Sequence, residues 1–291
     1  MKKVRDLVIH HPVATYYFTA FLISWGGLVI VLGGSYRITS HSTDAPFLPL
    51  YLVTVAGPFI AGILLTGLYY GKKGYQELFS RLFKWQVRFK WYAIALLIAP
   101  ITVLAALFIL CLFSPVFLPG IFNSTDNPVA VMFGLPNSKK ITLILFVVAI
   151  GLFNGFVEEI GWTGFATDKL RSGNMLIESG FILGIMWGLW HLLSNYIGSA
   201  ESAGTMPLPV YLGVLLFSFL PPFRILMTWV YDHTKSLFIA VLMHASLDVF
   251  WILSMPKVLT GQQRVTWYLI WAIVLWGFVA AKNLRNKRFS Q

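Results

Sequence analysis

The chain has 291 residues, of which 57 % are hydrophobic and only 11 % charged, and its mean hydropathy is +0.74. A soluble globular domain carries about 25 % charged residues, so a soluble enzyme or binding module is excluded and a polytopic membrane protein is indicated. The formal net charge of +11 does not mark a nucleic-acid binder. The cations sit at the ends of apolar runs, where they act as topology signals and contacts to anionic lipid.

At about 20 residues per crossing, eight apolar stretches follow in chain order, near 13–33, 48–70, 91–113, 141–163, 178–198, 208–231, 236–254 and 266–281. The first follows KKVRDLVIHHP and lacks a small-residue cleavage site, so it reads as a retained span rather than a signal peptide. In the stretch between spans 2 and 3, LFSRLFKWQVRFKW (78–91), aromatic and basic residues alternate. It reads either as a helix in the headgroup layer or as a solvated basic loop with a few buried anchors. Pro221 and Pro222 should kink or break the sixth span. Cys111, the only cysteine, lies in an apolar run, which leaves no disulfide framework and no cysteine metal cluster. With no internal repeat and no Gly/Ser linker, residues 1–291 read as one all-α membrane domain.

Basic residues set the expected orientation. Lys2, Lys3, Arg5, Lys72, Lys73, Arg81, Lys84, Arg88, Lys90, Lys169, Arg171, Lys235, Lys282, Arg285, Lys287 and Arg288 fall on one side. Arg37, Lys139, Lys140, Lys257 and Arg264 fall on the other. The imbalance places both termini in the cytoplasm. Arg224, beside the Pro-Pro pair, is expected to snorkel to that surface.

Ionisable groups inside spans are costly, at least ~2.5 kcal/mol for Asp, Lys or Arg on insertion scales. The intramembrane set here is Glu158, Glu159, His191, His244 and Asp248. His244 and Asp248 are four apart and share one helix face. Gly151 and Gly155 precede Glu158, and Gly184 and Gly188 precede His191, each first glycine seven residues before the polar group. Small residues at that spacing let helices approach closely, so spans 4 and 5 are expected to pack tightly and bring Glu158 and His191 together. Trp162, Trp187 and Trp190 are expected to pack or anchor at the interface. Any one of these buried groups could be structural glue, but five from three spans point to chemistry. Glu158 can serve as general base, His191 can hold the water and His244 can stabilise an oxyanion. Alternatively Glu158, His191, His244 and Asp248 ligate zinc, which activates the water instead. The chain has neither HExxH nor GxSxG.

The segments EEIGWTG (158–164), WGLWH (187–191) and HASLD (244–248), in this order on separate spans, resemble the motifs of the CPBP intramembrane protease family. That family includes the Ras-converting CAAX endopeptidases and the Abi-type proteins linked to bacteriocin processing and self-immunity. The resemblance covers about 141–254 and implies an eight-helix fold with a site opening to the cytoplasm. It implies that Glu158 activates water with His191 as partner, that Glu159 supports them, and that His244 and Asp248 bind the oxyanion or a metal. Three positions depart from the family pattern. Thr163 stands where arginine is usual, Trp187 replaces phenylalanine, and Asp248 replaces asparagine.

The expected activity is therefore hydrolysis of a peptide bond in a membrane-associated peptide or protein, a prenylated CAAX-type C-terminus or a bacteriocin precursor being the candidate substrates. The rival readings are an inactive family member acting as scaffold or immunity protein, and a proton-coupled transporter built on the same intramembrane groups. Short loops and compact length point to a prokaryotic plasma membrane.

Overall fold

The computed structural model describes residues 10–33, 47–123, 140–173, 175–256 and 258–282. The helices of ten residues or more among the described residues are α1 (Pro12–Val31), α2 (Phe47–Leu82), α3 (Phe89–Cys111), α4 (Lys140–Gly161), α5 (Leu176–Gly198), α6 (Leu208–Phe217), α7 (Leu220–Thr234), α8 (Leu237–Ser254) and α9 (Gly261–Ala281). Among the described residues there is no strand. Eight segments among the described residues are long and apolar enough to cross a membrane, with α6 and α7 forming the sixth together.

Two spans run past their expected ends. α2 is 36 residues long, about 54 Å at 1.5 Å per residue, against a hydrocarbon core of about 30 Å. A kink at Gly71, with φ 57° and ψ −144°, divides it where the apolar reading ended; a residue with a side chain is strained in that conformation. The helix beyond the kink carries Lys72 and Lys73. α4 likewise continues through a π-helical turn at Trp162–Thr167 into a last stretch at Asp168–Gly173. α9 begins five residues before the apolar reading placed it. Thr260 and Gln263 form a capping box there, which starts a helix on polar residues that hydropathy does not register.

The sixth span breaks as expected, between Phe217 and Leu220. Pro221 and Pro222 sit in the first turn of α7, where a missing N–H costs nothing. The sequence 78–91 is not one continuous interfacial helix, and its middle matches the solvated basic loop with a few buried anchors, Lys84, Trp85, Gln86 and Arg88 being exposed and Leu82 and Trp91 buried. It completes α2 to Leu82, crosses residues 84–88 without helix, and enters α3 at Phe89.

The glycine stripes hold the bundle together differently from expectation. A Cβ on Gly155 would lie 2.5 Å from the Val241 carbonyl oxygen, and one on Gly151 2.9 Å from that of Ala245, so this face packs on α8. A Cβ on Gly184 would lie 2.4 Å from Pro221 Cα, and one on Gly188 2.5 Å from the Leu216 oxygen, so that face packs on α6 and α7. The spacing specifies that a backbone comes close, not which backbone.

Among the described cations, Lys72, Lys73, Arg81, Lys84, Arg88, Lys90, Lys169, Arg171, Lys235 and Lys282 lie toward the ends of spans 2, 4, 6 and 8 or the start of span 3, which share one face. Lys140 and Arg264 lie at the opposite ends. Lys2, Lys3, Arg5, Arg37, Lys139, Lys257, Arg285, Lys287 and Arg288, and with them both termini, lie outside the described residues.

Candidate active site

α4 delivers two adjacent carboxylates to the inside of the bundle, where Glu158 and Glu159 are 3 % and 0 % exposed. Burying either needs donors, and they come from three other helices and from the π turn. Glu159 accepts from Arg224 Nη1 on α7 at 2.7 Å, and its Oε1 is paired with His244 Nδ1 on α8 at 2.8 Å. Thr163 donates to the other oxygen of Glu159 and itself accepts from Arg224 Nη2 at 3.0 Å. Glu158 Oε2 accepts from Trp187 Nε1 on α5 at 3.0 Å and from Trp162 Nε1 at 3.3 Å.

His244 joins the two carboxylates. With Nδ1 on the Glu159 carboxylate, that nitrogen carries the proton. Its Nε2 lies 3.9 Å from Glu158 Oε2 and 3.8 Å from Asp248 Oδ2. Asp248 is in turn held by Asn154 Nδ2 at 2.8 Å, and the Tyr51 hydroxyl donates to the Asn154 oxygen. Glu158, His191, His244 and Asp248 line one cavity of about 160 Å3, together with Asn154, Trp187 and Asn195. Its remaining wall is mostly apolar, from α6, α7 and α8.

The four groups expected to carry the chemistry therefore do converge. Glu158 and His191 meet across this cavity and through Trp187, not through facing glycine stripes. Arg224 does not snorkel. It is 1 % exposed, paired with Glu159, and its guanidinium lies 5.7 Å from the Trp187 ring centre. Trp162 and Trp187 pack, as expected, but their indole N–H groups are also the donors to Glu158. Trp190 packs edge-on to Trp162 and lies 4.5 Å from the His191 ring. Sequence reasoning missed Asn154, which sits one turn before Glu158 on the same face and was readable as a polar residue in a span.

Two comparisons bear on this arrangement. Residues 140–250 match the family model described as type II CAAX prenyl endopeptidase Rce1-like. A protein named CAAX prenyl protease 2, from Methanococcus maripaludis, is 22 % identical over 236 residues, covering 80 % of this chain and 82 % of that protein. Residues 140–250 are thus similar to that family.

Within residues 140–250, the arginine that the motif resemblance would place at Thr163 has a counterpart in space. Arg224 brings a guanidinium to Glu159 from another span, and Thr163 links the two. Asp248, standing where asparagine is common, has an amide beside it in Asn154. The donor set was also tested for zinc. Among the described residues no group of three or more His, Cys, Asp or Glu side chains is arranged to hold a metal ion. Two ligands of one tetrahedral zinc, with bonds near 2.0–2.1 Å, lie about 3.3 Å apart, closer than His244 Nε2 stands to Glu158 Oε2 or Asp248 Oδ2, at 3.9 and 3.8 Å. Glu158 Oε2 is engaged by two indoles as well. The residues as arranged do not fit the ion.

Proposed function

We propose that the protein is an intramembrane endopeptidase of the CAAX type, hydrolysing a peptide bond near the C-terminus of a membrane-associated substrate. The observation that supports this reading most is the buried Glu158 carboxylate on the wall of a small cavity shared with two imidazoles and Asp248.

In this mechanism a water in the cavity is held by Glu158 and His191. Its oxygen attacks the scissile carbonyl carbon as Glu158 takes the proton. His244, oriented through Nδ1 by Glu159, presents Nε2 to the cavity and in its protonated form donates to the developing oxyanion. The C–N bond then breaks, and the proton held by Glu158 passes to the departing amine. Asp248, fixed by Asn154, orients His244 rather than donating to the oxyanion, since a carboxylate has no proton to give when ionised. Glu159, Arg224 and Thr163 hold His244 and carry no proton of the reaction.

The guanidinium supplied by Arg224 favours an active site over a scaffold that lost its arginine. The family description and the relative's name support a prenylated C-terminal segment as the substrate class, with the apolar wall receiving its aliphatic side chains. The basic imbalance supports a cytoplasmic cation-rich face, and the short loops and compact length support a prokaryotic plasma membrane.

The test compares protein termini, by mass spectrometry, in membranes of cells carrying wild-type protein or Glu158→Gln at equal expression. Termini that vanish in the variant are expected, and they identify the substrate. Identical termini in both would reject proteolysis. A parallel sample treated with chelator should keep the wild-type pattern. Loss of cleavage restored by zinc would replace the glutamate mechanism with a metal one.

A further inference from the structure

Away from the carboxylates, a cavity of about 370 Å3 opens on the cation-rich face between the α2–α3 connection and the end of α7. Lys84, Arg88, Lys90, Trp91, His233 and Thr234 line it, and among the described residues no carboxylate does. The neighbouring Asp232 is already committed, to Arg171 at 2.7 Å and Lys235 at 3.4 Å. The non-helical backbone that carries these cations is fastened at two points. Ser236 Oγ donates to the Lys84 carbonyl at 2.6 Å, and the Tyr92 hydroxyl donates to that of Trp85. Beneath lies an aromatic floor, with Trp91 centred 5.2 Å from Trp229 and 4.9 Å from His233. His233 Nδ1 is bound to the Trp229 carbonyl at 2.8 Å.

We propose that this pocket binds the phosphate headgroup of an anionic phospholipid. Cations that line one cavity with no carboxylate among them repel one another, and a multivalent anion relieves that. Two features select a lipid over a free anion. Phe83, Trp85 and Phe89 alternate with the same cations and are 70 %, 63 % and 83 % exposed, and aromatics of this kind sit at headgroup depth with their rings toward the acyl chains. The pocket also lies where membrane spans end, which is where headgroups are. The net-positive wall, in turn, selects an anionic lipid over a choline lipid. Lys90 Nζ lies 5.0 Å from the Trp91 ring centre and Lys282 Nζ 5.6 Å from that of Trp229, so the rings that a quaternary ammonium would seek already carry the protein's own ammonium groups.

The test uses the full chain in detergent and measures binding of short-chain phosphatidylglycerol, short-chain phosphatidylcholine and inorganic phosphate by native mass spectrometry. Wild-type protein should prefer phosphatidylglycerol to phosphatidylcholine. In Lys84→Gln/Arg88→Gln that preference should fall roughly tenfold or more, since each cation near a headgroup contributes about a fivefold factor. Lys72→Gln/Lys73→Gln removes the same charge from the same face outside the pocket and should keep the preference. Because the readout is a ratio of lipids bound by the same folded protein, the folded fraction does not enter. Equal loss in both variants would assign the effect to diffuse surface charge and overturn the proposal. So would equal binding of the two lipids by wild type, or displacement of phosphatidylglycerol by an equal concentration of inorganic phosphate.

Discussion

Around Glu159, donors from the π turn, α7 and α8 meet one carboxylate that has no contact with water. Removing one partner of a buried ion pair costs about 3–5 kcal/mol, because the other charge stays buried without compensation. Arg224→Gln is therefore expected to lower the unfolding temperature strongly and to abolish cleavage, measured together by thermal unfolding and peptide hydrolysis in detergent. Adding Thr163→Arg should recover part of both, since residue 163 lies one turn from Glu159 and already donates to it. If Arg224→Gln leaves both readouts unchanged, the carboxylate does not depend on this cation. The sequence marked Glu158, Glu159, His191, His244 and Asp248 because charge in a span has a cost that spacing alone can locate. It could not mark Arg224, for which snorkelling and pairing carry the same hydropathy, and the pairing is visible only when α7 packs against α5 and the π turn.

At the scale of elements, the close approaches of α4 to α8 and of α5 to α7 position the site. Gly180 and Gly184 let α5 sit against the α7 backbone at Ile225 and Pro221, on either side of Arg224. Gly184→Ala is expected to destabilise by roughly 1–3 kcal/mol, the usual cost of forcing atoms into a filled contact. Gly213→Ala, where nothing lies within 4 Å of the added carbon, should leave the unfolding temperature level or raise it. Equal effects at the two positions would show that the close contact of α5 with α7 does not govern stability. Here the glycine spacing was legible and the partner was not, since a pattern on one helix holds no information about which backbone fills the groove. The break of the sixth span was legible, because proline acts locally.

For the molecule as a whole, apolar length was enough to find all eight spans, and their ends failed only where polar helix continued. The tail of α2 and the start of α9 are held by a kink and a cap, neither of which hydropathy sees. Orientation rests on charge and can be measured. In a Cys111→Ala background, Lys72→Cys should be shielded from an impermeant thiol reagent in intact cells and Gln262→Cys should be labelled. The reverse pattern would invert the orientation. Both sites are exposed and at opposite ends of their spans.

The π turn at Trp162–Thr167 gives the fourth span about one residue more than an α-helix of equal rise would use. Each residue turns an α-helix by about 100°, so the surplus resets the angular phase of everything beyond it. Glu158 and Glu159 address the interior of the bundle, while Asp168 addresses Arg81 and Tyr231 at its boundary. One continuous rod thus carries two sets of contacts with separate phases. Deleting Ala166 from the turn would leave every side chain of the two sets in the chain and still let only one of the sets find its partners.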